Sequence, residues 1–164
     1  MVDGLASMPI TLEVNGRVCV IDVSADDTLV DVLRGQLHLT SCRETCGLGL
    51  CGSCTVMVDG HAVSACLVPA FQMDGSVIRT AEGLDQGGEP SCLQRAFTER
   101  QAFQCSFCTP GFLMSATAML EQEHTCTSVE DALSGHLCRC GSYEQIVTAV
   151  GDVASGAGRK CESS

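Results

Sequence analysis

The chain contains no tryptophan, one tyrosine and five phenylalanines among 164 residues. A core so poor in large aromatics is small, and its stability should lean on something besides apolar burial. Basic residues are scarce too: nine Lys and Arg stand against twenty Asp and Glu, for a net charge of −11. The nine are scattered rather than patched, which argues against a nucleic-acid partner, and the acidity reads simply as solubility. No apolar run approaches the ~18–20 residues needed to span a bilayer, so no membrane partner is expected. The N-terminal stretch MVDGLASMPI has no basic n-region and no apolar h-region, hence no visible secretory signal. Also missing are a G-x-G-x-x-G fingerprint, a P-loop and any nucleophile–base constellation. No catalytic residue is therefore assigned, and no substrate pocket is expected.

What the chain has is cysteine, thirteen in all. An odd count, no export signal and clustered spacing favour reduced, metal-bound thiols in a cytoplasmic protein over a disulfide scaffold. The densest stretch, residues 45–66, reads TCGLGLCGSCTVMVDGHAVSAC. Cys46, Cys51 and Cys54 give C-x4-C-x2-C, and Cys66 follows after a short hairpin. That is the spacing of a plant-type [2Fe–2S] loop, where three close thiolates and one distant thiolate hold two irons. Each iron takes two soft thiolates, and the loop around them needs a backbone free to turn. Gly47, Gly49 and Gly52 supply that freedom and let amide N–H groups point at the sulfurs. The competing reading is structural zinc, which usually comes as two short knuckles; disulfide pairing is the other.

Residues 9–23, PITLEVNGRVCVIDV, predict two strands joined by a two-residue turn at Asn15-Gly16. Ile10, Leu12 and Val14 alternate cleanly, whereas the return strand leaves its register open. Thr28-x-x-Asp31 is a capping box, and Leu29, Val32, Leu33 and Leu37 recur at helical spacing toward the sheet. Residues 55–58 predict a strand, Asp59-Gly60 a turn, and residues 61–66 a return that carries Cys66 back beside the other thiols. Residues 77–80 complete a small α+β unit. Residues 81–90, AEGLDQGGEP, are rich in Gly, Pro and acid and predict a linker. Everything beyond is helical. Leu93, Ala96 and Phe97 mark one helix, and Thr109-Pro110 opens a second with Thr109 as N-cap, running to about Gln122. Ser128-x-x-Asp131 opens a third that stops at Gly135. Ser142-x-x-Gln145 opens a fourth as a capping box, with Ile146, Val147, Val150 and Val153 on its apolar stripe. The last ten residues, SGAGRKCESS, predict a frayed or disordered tail, with its domain-level boundary at 156–164.

The helical half carries a second cysteine set, Cys105-x2-Cys108 and Cys138-x-Cys140. Two close pairs at two helix junctions can meet to provide four ligands. A four-thiolate zinc site would also explain them. A redox-active disulfide at Cys105/Cys108 would leave the second pair unexplained.

With CGLGLCGSCTVMVDG upstream, the phrases QCSFCTPGFLMSA and HLCRCGSYEQIV resemble the iron–sulfur subunit of the molybdenum hydroxylases. This is the xanthine oxidase family, with its carbon monoxide dehydrogenases, aldehyde oxidoreductases and N-heteroaromatic hydroxylases. The resemblance runs from about residue 10 to residue 153, with the motifs in the family's order. It implies a ferredoxin-like β-grasp domain (1–80), a linker (81–90) and an all-α four-helix domain (91–155). It further implies two [2Fe–2S] clusters: one on Cys46, Cys51, Cys54 and Cys66 facing a flavin subunit, the other on Cys105, Cys108, Cys138 and Cys140 nearer the molybdenum. Gln104 and Cys140 occupy the positions that in this family lie beside the molybdopterin. The expected partners are a large subunit with a molybdopterin-type molybdenum cofactor, which also sets the substrate, and a medium subunit with FAD, in a heterotrimeric unit. Electrons would leave the molybdenum, cross both clusters and exit through the flavin.

Some positions depart from the family's usual pattern. Ser106 and Phe107 stand where C-G-Y-C is common, His136 where Asn is common, Gly141-Ser142 where T-G is common, and Thr45 where Gly is frequent. No ligand is lost, but hydrogen bonds around the clusters, and hence potentials, can change. The interval between the two pairs predicts a trimmed loop near residues 124–127. Cys19, Cys42, Cys92, Cys126 and Cys161 read as small hydrophobes or surface thiols, with Cys42 the one close enough to compete as a ligand. The four His are scattered, and none is assigned to metal. Two rivals to the family reading are a free-standing two-cluster ferredoxin-type carrier, and a zinc-stabilised interaction module, which would be colourless in the visible.

Overall fold

A computed structural model of the chain describes residues 7–85, 87–122 and 128–156. Strands β1 (Met8–Val14) and β2 (Arg17–Val23) pair antiparallel over their whole length, from Met8 opposite Val23 to Val14 opposite Arg17. Asn15 and Gly16 turn the chain at φ 50° and 76°, the two positive values that a hairpin of this length requires. The register left open by the sequence is now settled. Ile21 and Val23 face the core, while Val18 and Val20 lie 72% and 69% exposed, because alternate residues of β2 point to the uncovered face of the sheet. Helix α1 (Leu29–Gly35) starts at the expected capping box: Thr28 accepts from the Asp31 N–H and Asp31 accepts from the Thr28 N–H. It buries Leu29, Val30, Val32 and Leu33.

Strands β3 (Thr55–Val58), β4 (His61–Ser64) and β5 (Val77–Arg79) complete a five-stranded sheet in the order β2-β1-β5-β3-β4. β5 runs parallel to β1 and antiparallel to β3, so it joins the two hairpins into one surface. Asp59 and Gly60 turn the second hairpin at φ 49° and 82°. The return strand is shorter than expected: β4 ends at Ser64, and Cys66 sits on the single 3-10 turn Ala65–Leu67 that follows. Leu12, Val23, Leu29, Leu33, Val56 and Ile78 are fully buried between sheet and helix.

Four helices follow among the described residues: α2 (Cys92–Glu99), α3 (Thr109–Glu121), α4 (Val129–Leu133) and α5 (Tyr143–Ala154). Phe97, Phe112, Met114, Ile146 and Val150 form their core. Two expected caps are corrected. Thr109 is the first helical residue of α3, and the cap position falls on Cys108 with no side-chain bond. Ser142 likewise makes no side-chain cap bond to α5; its ψ of 24° lies outside the extended region a capping side chain needs. Ser128 caps α4 as expected, accepting from the Asp131 N–H at 3.1 Å.

The segment expected as a linker is anchored at its start. Leu84 is buried in the helical core. Glu82 accepts hydrogen bonds from the Ser41 N–H (2.8 Å) and the Thr80 hydroxyl (2.6 Å). The halves also touch directly: Met57 of β3 belongs to the helical core, and Arg79 of β5 pairs with Glu121 of α3 at 2.6 Å. The trimmed loop expected at 124–127 and residues 157–164 of the expected tail lie outside the described residues. No described helix is long and apolar enough to cross a membrane.

Candidate metal centres

The first centre is the loop between α1 and β3. Gly47, Gly49 and Gly52 adopt φ of 63°, 71° and 71°, a region side-chain-bearing residues rarely enter. At Gly49 a Cβ would fall 2.3 Å from Leu67 Cδ1, next to Cys66; Leu67 is exposed and can swing aside, so it is the positive φ that favours glycine there. The Leu48 N–H donates to Cys46 Sγ at 3.4 Å. The N–H groups of Leu48 and Leu50, and then the Cys51 thiol, draw the Cys46 thiol down to about 6. The neighbours of Cys46 thus favour the thiolate, which is the form that binds metal. Cys54 is its opposite: burial pushes its thiol up to about 11, and its thiol partner is Cys66. The four thiols therefore gather in twos, Cys46 with Cys51 and Cys54 with Cys66. Cys42 is buried alongside, but its Sγ is turned to the Cys54 carbonyl at 3.3 Å, and burial raises it to about 12.

The second centre lies where the chain enters α3 and where α4 hands over to α5. Cys105 and Cys140 bring their sulfurs within 3.4 Å; two thiolates about 2.3 Å from one tetrahedral metal sit roughly 3.8 Å apart by geometry. Cys108 pairs with Cys138, and burial raises the Cys108 thiol to about 12. Around Cys138 burial works against the thiolate, but the N–H of Ser142 and the Cys108 thiol hold it below the ordinary value. The Phe107 N–H and the Cys140 thiol lower Cys105. Gln104 donates its amide to the Cys140 carbonyl at 3.2 Å, so the two residues singled out for pterin contact are neighbours.

Among the described residues no three His, Cys, Asp or Glu side chains converge on one ion position. Paired thiols suit a two-iron cluster, which takes two thiolates on each iron. Paired thiols and N–H groups facing sulfur fit a [2Fe–2S] cluster at both places, with glycine turns at the first.

The two centres adjoin. The Leu137 N–H, one residue before Cys138, donates to the Cys51 carbonyl at 3.1 Å. His136 is buried beside this bond, its ring against Phe112 (4.7 Å between centroids) and its Nε2 2.6 Å from Ser115 Oγ. Burial lowers its pKa to about 4, so the ring is neutral. A Cβ on Gly52 would fall 2.0 Å from His136 Nδ1, and one on Gly111 would fall 2.2 Å from the Gly52 carbonyl oxygen. Neither glycine contact has a local signal in the sequence; His136 was visible only as a departure from the family pattern. Cys92 is corrected: it is disulfide-bonded rather than a free thiol.

Residues 12–96 match the 2Fe-2S iron-sulfur cluster binding domain, and residues 80–151 match the [2Fe-2S] binding domain. The chain is thus an iron–sulfur protein with two [2Fe–2S]-binding domains, suited to electron transfer. It is 49% identical to the nicotine 6-hydroxylase small subunit of Paenarthrobacter nicotinovorans, over 92% of each chain. Against the xanthine dehydrogenase iron-sulfur-binding subunit of Escherichia coli O157:H7 it is 42% identical, over 89% of this chain and 95% of that one. The solved quinoline 2-oxidoreductase from Pseudomonas putida 86 superposes with a TM-score of 0.86 at 40% identity, covering 95% of this chain and 99% of that one. The chain belongs to the family of small iron–sulfur subunits of the molybdenum hydroxylases.

Proposed function

We propose that this chain is the electron-transfer subunit of a cytoplasmic molybdenum hydroxylase complex. It would take electrons one at a time from a molybdopterin centre on a large subunit and deliver them to FAD on a medium subunit. When bound, the [2Fe–2S] clusters supply the one-electron chemistry. Cys46, Cys51, Cys54 and Cys66 hold the cluster of a β-grasp domain spanning 1–80. Cys105, Cys108, Cys138 and Cys140 hold that of a four-helix domain spanning 91–155. Gln104 and Cys140 contact the pterin. Exposed apolar side chains flank both centres, Leu48 and Leu50 (66% and 68% exposed) at the first and Leu137 and Phe107 (59% and 45%) at the second. Such surface suits docking to partner subunits.

The observation that carries this reading is the hydrogen bond from Leu137 N–H to Cys51 O. It joins the backbone of one cysteine loop to that of the other, with Cys51 at one end and Cys138 one residue from the other. A carrier of two unrelated metal sites has no need of such a bridge; a relay does.

The test is iron and acid-labile sulfide content with low-temperature EPR of the dithionite-reduced protein, copurified with its partners. Four irons per chain and two distinct S = ½ signals are expected, with molybdenum and flavin in the same material. Cys105→Ala should stop electron flow from molybdenum while leaving the ferredoxin-like signal intact. Zinc without iron, or undiminished turnover through the flavin in that variant, would end the proposal.

A further inference from the structure

A second contact joins the two loops. The Arg43 backbone N–H donates to the Ser53 carbonyl at 3.1 Å, inside the first cysteine loop. Its Nη1 donates to the Ser106 and Phe107 carbonyls, each at 2.7 Å, inside the second. The guanidinium also lies 4.9 Å from the centre of the Phe107 ring, a distance at which a cation is attracted to the ring face. Arg43 is half-buried, and the loop it grips is unusual: Ser106 holds a φ of +59°. Residues with a side chain keep that conformation only where the surroundings hold it.

The consequence follows from the shape of a peptide. A trans peptide unit is planar, with its C=O and N–H pointing in opposite directions. Arg43 holds the Ser106 carbonyl on one side, so the Phe107 N–H points away on the other, and there it meets Cys105 Sγ. The Phe107 carbonyl is held by the same guanidinium at 2.7 Å, so the two successive peptide units cannot turn independently. One guanidinium thus fixes two successive peptide units, and with them the amide that faces the Cys105 thiol. It also polarises them, because hydrogen bonds in series strengthen one another.

We propose that Arg43 is a positioning residue for the helical-domain cluster: by fixing these two carbonyls it aims the Phe107 amide at the Cys105 sulfur, and so raises that cluster's reduction potential. This rests on the functional reading above. Donors to the sulfurs stabilise the extra negative charge of the reduced state, and losing their alignment lowers the potential.

The experiment is a potentiometric titration, followed by EPR, of the copurified complex carrying Arg43→Met or Arg43→Lys. In Arg43→Met the helical-domain cluster should become harder to reduce by roughly tenfold in equilibrium constant, a drop of about 59 mV for one electron. The ferredoxin-like cluster should keep its potential. Arg43→Lys keeps a cation but offers a compact donor in place of the planar fork, and its potential should fall between. A fully loaded Arg43→Met complex with an unchanged helical-domain potential overturns the proposal, as does an equal shift of both clusters. If Arg43→Met does not load iron, Arg43→Lys decides, and an unchanged potential there counts against it. A wild-type complex lacking the second S = ½ signal would instead overturn the functional reading, before any variant is compared.

Discussion

Replacing Gly111 with alanine should destabilise the protein, although helix propensity alone says the reverse. Gly111 lies in the first turn of α3, and a glycine-to-alanine change in a helix interior is worth about 1 kcal/mol in favour of alanine. The added Cβ, however, would sit 2.2 Å from the Gly52 carbonyl oxygen, 3.1 Å from its carbon and 3.3 Å from Ser53 Cα. All three are backbone atoms, with no rotamer to swing aside. Nor can the carbonyl retreat easily, since it already accepts from the Thr55 N–H at 3.2 Å and the Thr55 hydroxyl at 2.8 Å. Overpacking costs typically 1–3 kcal/mol, and backbone against backbone belongs at the upper end. The net loss is about 2 kcal/mol, or roughly 4–8 °C in melting temperature for a chain of this size. Gly151, in α5, is the control: a Cβ there meets nothing within 4 Å. Gly151→Ala should therefore raise the melting temperature by roughly 1–4 °C. Anaerobic thermal scans at one fixed rate, following far-UV circular dichroism and the visible iron–sulfur band, measure both. A Gly111→Ala protein that melts at or above wild type would refute the close approach of α3 to the first cysteine loop.

Glu82 ties the start of the inter-domain segment to Ser41 and Thr80, and although burial opposes it, these bonds hold its carboxyl below the usual range. Since the folded pKa is depressed, its contribution is present above the unfolded value of 4.5 and is lost as pH falls through the folded value. Glu82→Gln should thus cost about 1 kcal/mol at pH 7, discounted for partial exposure, and the gap to wild type should close below pH 4.5 in urea titrations; a gap that persists would refute it. Arg79→Met should cost no more than about 1 kcal/mol in the same assay, because both ends of the Arg79–Glu121 pair are partly exposed, at 34% and 49%. Thr28→Ala removes the capping box of α1 and should cost about 1 kcal/mol; no measurable change would show that the cap is dispensable.

Features with a local cause could be read directly from the residues. Asn15-Gly16 and Asp59-Gly60 turn because their residues tolerate positive φ, and Thr28 caps because Asp31 follows at the right distance; the partner of each thiol was not legible, since Cys105 meets Cys140 from 35 residues away. Ser142 misled because capping needs a backbone conformation as well as a hydroxyl, and here the backbone N–H serves the Cys138 sulfur instead. Leu84 looked like linker and is core, since one apolar residue in a polar stretch has no period to reveal it. Arg43 reaches across 63 and 64 residues to its carbonyl partners. No pattern within a window of chain can announce a contact made at that separation.

The same long-range contacts explain why the two halves work as one object. Gathering the thiols of each centre does not by itself fix the distance between the two centres. Glycine at 52 and 111 lets the backbone of the first loop press directly against α3, with no side chain between. The buried His136 ring fills the remaining space, and the Leu137 amide closes onto the Cys51 carbonyl. A larger residue at either glycine would lengthen the path between the centres as well as strain it. Stability and electron transfer therefore make the same demand on this junction, and Gly111→Ala should weaken both: a lower melting temperature together with slower electron exchange between the two EPR signals. A variant that lost stability but kept the exchange rate would show that electrons pass by another route.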